Sequence, residues 1–208
     1  MKLVSKFMNE GFAKSASRFM CVVCYIIMIV CIICFVLSCM GRQSFSLHTD
    51  SGYYENAIYA EENHDPDFRM PTVNMVGDEI HVHSSDGQIE GKIQVGLSLM
   101  YAVTIVPAIF GFWFLSRVFT NVSNGQIFTE KNAVYLLYYG VIQFITALFV
   151  PFIKLFICFL INSISSDQIS ISTGSNILNN LIPSIGFLVA AYIIHYGIHL
   201  QDEVDHTL

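Results

Sequence analysis

Residues 119–140 read FTNVSNGQIFTEKNAVYLLYYG, a short polar break that separates two long apolar runs and opens the second of them. A run of about 20 apolar residues matches the hydrocarbon thickness of a bilayer. Counting outward from the break, the chain holds two such runs before it and two after it. The sequence therefore predicts an all-α membrane protein with four transmembrane helices.

The composition supports folding in lipid. The 208 residues are 54% hydrophobic and 12% charged, whereas a soluble domain carries about 25% charged residues. The net charge is −6, and the chain has no basic face of the kind that nucleic acids require. The composition therefore predicts a lipid bilayer as the main environment and excludes direct nucleic-acid binding.

The apolar runs divide the chain into nine predicted segments. These are a basic amphipathic interfacial helix at 1–18, a first transmembrane helix at 19–40, an acidic β-rich extracytoplasmic domain at 41–94, a second transmembrane helix at 95–116, a cytoplasmic loop at 117–131, a third transmembrane helix at 132–161, an outer loop at 162–177, a fourth transmembrane helix at 178–200 and a cytoplasmic tail at 201–208. Lys and Arg in short segments set the orientation. Four of them lie in 1–18, and the 117–131 loop holds Arg117 and Lys131. This distribution predicts a multi-pass protein of the cell membrane with both termini in the cytoplasm.

The first apolar run has a rival interpretation. A basic start followed by an apolar core is also typical of a signal peptide, but a signal core has about 7–15 residues and this run is longer. The residues VLSC at 36–39 loosely resemble a lipoprotein-processing box. A transmembrane helix is the preferred interpretation, and processing with lipidation at Cys39 stays the alternative.

The 41–94 segment is predicted to contain strands in its second half. Residues 72–76, 79–83 and 88–94 alternate apolar and polar side chains, and Asp86-Gly87 is a hairpin signal between the last two. The first half, residues 43–67, is polar and acidic without a sustained period. We expect a small antiparallel sheet on the outer membrane surface, inserted between the first two helices.

Four cysteines recur along one stripe of the first helix, at Cys21, Cys24, Cys31 and Cys34. Two CxxC pairs can share a metal only when they converge on one point. These pairs are about 15 Å apart along a helix axis, so they cannot do so. We interpret the thiols as packing groups, with a disulfide or metal shared with a partner helix as the alternative.

Two histidine groups are weak candidate metal sites. His195, His199 and Glu203 follow at four-residue steps on the fourth helix, and a full site there needs a ligand from another helix. His81 and His83 share one side of a predicted strand among acidic residues. Interfacial hydrogen bonding and a solvated acidic face are the commoner explanations, and we predict no cofactor.

Lys154 is the one basic residue well inside the third apolar run. A lysine at the centre of a bilayer costs about 2.5–3.5 kcal/mol on insertion scales. Lys154 follows Pro151 by three residues, toward the predicted outer end, from where its side chain can snorkel to the interface. A role in binding a substrate or an ion is the alternative.

Two short motifs carry a resemblance to a known family. GQIFTEKN at 125–132, with the glycine at 140, resembles a G-x-x-F-T-x-x-N stretch, and GIHLQDEVDHT at 197–207 resembles a G-x-x-L-x-x-E-x-x-x-T ending. Both are typical of a bacterial membrane-protein family, the domain-of-unknown-function family numbered 2975. The positions matched are Gly125, Phe128, Thr129, Asn132, Gly140, Gly197, Leu200, Glu203 and Thr207.

The resemblance covers residues 95–208 and implies a partner without implying a chemistry. Family members are often encoded beside small helix-turn-helix regulators, which implies a regulator of that kind as a partner. Both motifs fall on the predicted inner side, so we expect these positions to form a partner-binding surface. The residues of 41–95 are not matched by the resemblance.

The leading hypothesis is a regulatory or sensory membrane protein that is not an enzyme. The chain lacks GxSxG, HExxH and paired intramembrane aspartates. The alternative is a small transporter or channel component, because Pro107, Pro151 and Pro183 are expected to break three helices and broken helices often surround binding sites. A homo-oligomer stays open.

Overall fold

The computed structural model describes residues 10–50, 52–59, 71–75, 77–85, 87, 89–173 and 177–207, with the backbone alone for residues 10, 173 and 201–207. The elements in chain order are α1 (Glu10–Cys39), β1 (Ser44–Thr49), β2 (Gly52–Ile58), β3 (Asp78–His83), α2 (Gly91–Ser123), α3 (Glu130–Ile164), β4 (Gln168–Thr173) and α4 (Ile177–Thr207).

Four helices in the described ranges are long and apolar enough to cross a membrane: Gly11–Cys39, Gly91–Ser123, Glu130–Ile164 and Ile177–Leu200. The prediction of four helices with the length and composition of membrane spans is therefore confirmed. Four such helices are the architecture of a multi-pass membrane protein. α1 is continuous from Glu10, so residues 10–18 belong to the same helix as the first predicted crossing. Residues 1–9 of the predicted interfacial helix lie outside the described ranges.

The three prolines do not break their helices. Pro107, Pro151 and Pro183 lie inside α2, α3 and α4, and each of these helices is continuous through its proline. The expectation of three broken helices is therefore wrong. Membrane helices tolerate proline because neighbouring helices and side chains satisfy the freed backbone groups.

The chain divides into two compact units. The sheet unit contains Cys31–Val106 and Ala147–Ile177, and the helical unit contains Met1–Val30, Pro107–Thr146 and Leu178–Leu208. α1, α2 and α3 each contribute one part to each unit.

The sheet is mixed and has the strand order β2-β1-β3-β4. β1 pairs antiparallel with β2 and parallel with β3, and β3 pairs antiparallel with β4 from Asp78↔Thr173 to His83↔Gln168. Three strands precede α2, but β4 follows α3. The sheet is therefore assembled from two loops, whereas the sequence predicted an antiparallel insertion between the first two helices.

Only one of the three predicted strands is present among the described residues. Residues 79–83 form most of β3, whereas Val73 makes only an isolated bridge with Gln43. The strand and hairpin predicted at 88–94 are wrong because α2 begins at Gly91. Ile89 and Ile93 are four residues apart, a spacing that fits both the alternation of a strand and one face of a helix.

The buried face of the sheet forms the core of its unit. Phe45, Leu47, Ile80 and Val82 alternate with exposed or half-buried residues along β1 and β3, as the two-residue period of a strand requires. They belong to one apolar cluster with side chains of α2 and α3, including Ile93, Leu97, Met100, Ile157 and Ile161. Burial of this apolar surface holds the sheet on the helices of its own unit.

The helical unit has a separate core of buried Cys24, Leu115, Val118, Leu136, Tyr139 and Ala191. The Tyr139 ring packs edge-on to Phe187 with ring centroids 4.6 Å apart. All six cysteines are free thiols, and Cys21 Sγ lies 3.3 Å from Thr120 Oγ1. These contacts agree with the interpretation of the first-helix cysteines as packing groups.

Candidate functional site

The first family-like motif begins at the turn that ends α2. The amide of Gly125 donates to the carbonyl of Val122 and the amide of Gln126 donates to the carbonyl of Asn121, both at 3.0 Å. This is the hydrogen-bond pattern of a Schellman motif, in which the residue after the helix adopts a left-handed conformation. Gly125 has a φ of 85°, which glycine adopts without strain.

The end of the same motif ties the turn to α3. Asn132 is fully buried, and its Nδ2 donates to the carbonyls of Gln126 at 2.6 Å and Ile127 at 2.9 Å. Its Oδ1 accepts from Asn121 Nδ2 at 2.8 Å. Its backbone amide donates to Thr129 Oγ1, which caps the start of α3. Asn132 therefore joins the end of α2 to the beginning of α3.

The two motifs meet within the helical unit. A Cβ placed on Gly197 would lie 3.4 Å from Phe128 Cδ1, so the Phe128 ring lies directly over the glycine. A Cβ placed on Gly140 would lie 2.9 Å from Leu188 Cδ2 and 3.2 Å from the Leu188 amide nitrogen. Both glycines therefore allow α4 to approach the loop and α3 closely.

Three matched positions lie near the end of α4. The Leu200 side chain is exposed. Glu203 and Thr207 lie on the helical backbone, with side chains outside the described set. Most motif positions thus have structural contacts in or near the 124–132 turn, whereas Leu200, Glu203 and Thr207 lie at the end of α4. The role of all these positions in partner binding stays a prediction.

The histidines of α4 contact each other. The rings of His195 and His199 pack edge-on with centroids 4.8 Å apart. The third residue of the predicted set, Glu203, has no described side chain. Across the residues that the structure describes, no group of three His, Cys, Asp or Glu side chains is arranged to hold a metal ion.

His81 and His83 form a cluster with a third histidine that the sequence did not indicate. The His48 ring stacks on His83 with centroids 4.7 Å apart, and it lies 5.6 Å from His81 and 4.6 Å from Tyr53. The parallel pairing of β1 with β3 places His48 beside His83. Desolvation and then the charges of His83 and His81 lower the pKa of His48 below its ordinary value. His64, Asp65 and Asp67, which are close to this cluster in sequence, lie outside the described ranges.

Lys154 has a partner that the sequence did not indicate. Its Nζ lies 2.6 Å from Asp78 Oδ2, and both side chains are only 5% exposed. Asp78 precedes Ile80 by two residues and so occupies the buried face of β3. The pair joins β3 to α3, whereas Asp78 Oδ1 has no hydrogen-bond partner among the described residues.

A cluster of hydrogen bonds, which we call the Glu90 clasp, joins Glu90 and Lys92 at the start of α2 to residues 164–166 at the end of α3. Glu90 accepts hydrogen bonds from the Ser166 hydroxyl, from the Ser166 amide at 3.2 Å and from the Ser165 hydroxyl at 3.1 Å. Lys92 Nζ donates to the carbonyl of Ile164 at 2.7 Å, at the end of α3. Lys92 Nζ also lies 3.3 Å from Glu90 Oε2. The hydrogen bonds that Glu90 accepts, first from the side chain and amide of Ser166 and then from Lys92 and Ser165, lower the pKa of Glu90 to about 2.

Comparison with known proteins shows the family of this chain. Residues 56–208 match the family described as Protein of unknown function (DUF2975). No curated protein and no solved structure matches the chain. The match begins upstream of the residues that suggested the family, so it includes β3 and Asp78 as well as both motifs. The chain therefore belongs to the DUF2975 family.

Proposed function

We propose that the protein is a regulatory or sensory protein of the cell membrane that is not an enzyme and has both termini in the cytoplasm. In this proposal, the 117–131 loop and the end of α4 form a surface that engages a cytosolic partner, a small helix-turn-helix regulator. The observation that supports it is the contact between Phe128 and Gly197, which brings the two family motifs together on one surface.

The geometry of the loop favours a binding role for Phe128. Gly125, Thr129 and Asn132 hold the backbone of the turn through the hydrogen bonds described above. The Phe128 side chain is nevertheless 55% exposed, and the neighbouring Ile127 is also exposed. Aromatic side chains, Phe among them, are enriched at the cores of protein interfaces.

Positive charge near the loop supports the cytoplasmic orientation. Lys14 Cε would lie 3.6 Å from a Cβ placed on Gly125, so Lys14 lies beside the turn. Arg117 lies over the Trp113 ring, 5.2 Å from its centroid. Basic residues beside transmembrane ends favour the cytoplasmic side of a membrane.

The features that favoured a transporter or channel are weakened. The helices are continuous through their prolines, and Lys154 is paired with Asp78. The ion pair with Asp78 accounts for the buried Lys154, so a transported substrate or ion is not needed to explain it. We therefore retain the regulatory proposal alone.

The test is to purify the full-length protein from its native membrane in mild detergent and identify stoichiometric partners by mass spectrometry. We expect a DNA-binding regulator to co-purify with the wild type. Phe128→Ala is expected to lower its recovery about tenfold or more, as loss of an interface anchor does. The matched control is Phe152→Ala, which removes an exposed aromatic side chain of α3 outside the loop.

A second variant lacks residues 201–208 and is expected to lose the partner as well. Recovery of the regulator at the wild-type level with both variants would contradict the proposed surface. Equal losses with Phe152→Ala would show that any exposed aromatic side chain of these helices matters, and would also contradict it.

A further inference from the structure

Two contacts fix how α1 lies beside α2 in the helical unit. Cys21 Sγ lies 3.3 Å from Thr120 Oγ1 and 3.7 Å from the carbonyl oxygen of Ser116. Earlier in α1, Lys14 lies beside Gly125, which follows the end of α2. The two helices therefore run antiparallel over this stretch, and all of these residues belong to the helical unit.

Arg18 and Arg117 border this contact on the side that faces away from the core. Arg18 lies about one helical turn from both α1 residues that make the contacts, and Arg117 lies within about one turn of both α2 residues that contact Cys21. The other side of the contact leads to Cys24 and Leu115, which are buried in the core of the helical unit. Because both arginine side chains are exposed, they flank one open groove between α1 and α2, which we call the arginine groove.

The charge of the arginine groove has one sign. Residues 11–30 and 107–129 contain Lys14, Arg18 and Arg117 and no aspartate or glutamate. Within the described ranges, no carboxylate lies at ion-pair distance from Arg18 or Arg117. Guanidinium groups without a counter-charge attract anions, and their paired N–H donors match the geometry of a phosphate group.

Apolar side chains continue the groove from the arginines toward the middle of both helices. On α2, Trp113 and Phe110 lie four and seven residues before Arg117, and on α1, Val22 and Tyr25 lie four and seven residues after the arginine. These spacings keep each set on one helical face, and all four side chains are exposed. The groove therefore presents cations at one end and an apolar surface along its length.

Trp113 joins the two parts of the groove. The Arg117 guanidinium lies over its ring, 5.2 Å from the centroid. Tryptophan is enriched where the headgroups of a membrane meet the acyl chains. A phospholipid has both an anionic headgroup and an acyl chain, whereas a free phosphate ion has no apolar part to cover the rest of the groove.

We propose that the arginine groove selectively binds an anionic phospholipid, with the headgroup phosphate between Arg18 and Arg117 and an acyl chain along Trp113 and Tyr25. The guanidinium groups donate hydrogen bonds to the phosphate oxygens, and Lys14 adds positive charge at the headgroup end. A zwitterionic lipid is disfavoured because its own cation is repelled. Basic pockets between transmembrane helices select anionic headgroups by this chemistry.

This lipid site goes beyond the proposed partner surface and does not depend on it. The groove lies between α1 and α2, whereas the partner surface rests on the contact between Phe128 and Gly197. Phe128→Ala is therefore expected to lose the partner and to keep the lipid preference, so that failure of one proposal is distinguishable from failure of the other.

Trp113 is the single tryptophan of the chain, so its fluorescence reports the lipid that occupies the groove. The full-length protein is reconstituted in vesicles of phosphatidylglycerol and phosphatidylcholine, in which first one lipid and then the other carries brominated acyl chains. Bromine quenches tryptophan on contact, and the two series together give the relative affinity for the two lipids. We expect phosphatidylglycerol to be preferred about tenfold or more, because each basic residue near an anionic surface contributes about fivefold. A preference near one would overturn the proposal.

Variants locate the preference in the groove. Arg18→Gln is expected to lower it about fivefold, and Arg18→Gln/Arg117→Gln is expected to abolish it. Lys131→Gln, which removes an exposed basic side chain of α3 outside the groove, is the matched control and should leave it unchanged. Comparing both lipids in the same variant cancels any change in the emission of Trp113 itself. Equal losses in Arg18→Gln and Lys131→Gln would mean that net charge alone attracts the lipid, and would overturn the proposal.

Two further arms test other occupants of the groove. Sodium chloride and sodium phosphate at equal ionic strength should lower the lipid preference equally, because both only screen the charges. A larger loss with phosphate would assign the groove to a soluble anion. The second arm is the variant that lacks the acidic residues 201–208, which should keep the wild-type preference. A preference that appears only in this variant would make the tail the occupant, and either result would overturn the proposal.

Discussion

Lys154 Nζ lies 2.6 Å from Asp78 Oδ2, so a lysine in the apolar run of α3 is paired with a carboxylate of β3 that is 76 positions away in the chain. Both side chains are buried. Two buried charges are tolerated only when each compensates the other, because removing a charge from water is costly. The pair therefore adds a buried ionic contact to the apolar packing of β3 on α3.

Asp78→Ala should be strongly destabilising. The variant leaves Lys154 buried without a counter-charge, which is expected to lower the free energy of unfolding by about 3–5 kcal/mol. Denaturant unfolding of the full-length protein in detergent measures this. Glu79→Ala, next to it but with a side chain 83% exposed, should change the free energy by less than about 0.5 kcal/mol.

The paired variant Asp78→Leu/Lys154→Met separates charge compensation from packing. Replacing both charges with apolar side chains should recover most of the stability lost in Asp78→Ala. If the double variant is as unstable as the single one, the ion pair is not the reason for the loss.

Asn132→Ala should open the turn between α2 and α3. It removes the donors to the carbonyls of Gln126 and Ile127 and the acceptor of Asn121 Nδ2. Loss of these buried hydrogen bonds is expected to lower the free energy of unfolding by about 1–3 kcal/mol. Hydrogen exchange of the 121–132 backbone should rise in the variant.

Asn124→Ala is the matched control for this turn, because Asn124 is exposed in the same turn. We expect it to leave both the unfolding free energy and the hydrogen exchange near wild type. Equal effects of the two substitutions would mean that Asn132 does not hold the turn.

Gly140→Ala and Gly186→Ala should differ although both add one methyl group to a helix. At Gly140 the added carbon would meet Leu188 side-chain and backbone atoms at 2.9–3.2 Å, whereas at Gly186 nothing lies within 4 Å. Overpacking of a tight contact costs about 1–3 kcal/mol. Thermal unfolding in detergent should show a lower Tm for Gly140→Ala and an unchanged or higher Tm for Gly186→Ala, and the reverse order would contradict the close approach of α3 and α4.

Acid should weaken the Glu90 clasp. The hydrogen bonds from Ser166 lower the pKa of Glu90 from an ordinary value of 4.5 to about 2 in the folded protein. Because the folded pKa is the lower one, the ionised carboxylate stabilises the fold above pH 4.5, and this contribution is lost as the pH falls toward 2.

The measurement is the unfolding free energy of the wild type and of Glu90→Gln between pH 7 and pH 2. The wild type should be the more stable at pH 7, and the difference between the two proteins should shrink across the window from pH 4.5 to 2. A difference that stays constant through this window would show that the carboxylate charge is not what holds the clasp.

The helices were predictable because their signal is local and repeated. Each apolar run is long enough to indicate a crossing by itself, and the break at 119–140 contains the turn that separates α2 from α3. The motif residues were also found from the sequence, but the role of Asn132 was not. Its partners are backbone carbonyls of the turn, which no side-chain pattern identifies.

The strands were less predictable because few of them show the alternation of apolar and polar residues that indicates a strand. β2 is mostly exposed and so has no apolar alternation, and β1 and β4 each alternate only two apolar residues, Phe45 with Leu47 and Ile169 with Ile171. The His48 cluster follows from a parallel pairing of β1 with β3. The Lys154 pair likewise depends on a contact between distant segments, so periodicity could not have indicated either one.

The pairing of β3 with β4 has a consequence for how the protein is made. The ribosome delivers β4 only after α2 and α3 have been synthesised. In a chain whose apolar helices cross a bilayer, both must cross, in opposite directions, before Gln168 can reach His83. In such a chain, failure of one of the two helices to insert would place β4 on the opposite side of the bilayer from β3. One edge of β3 would then stay unpaired, and an unpaired strand edge is a template for pairing with other chains.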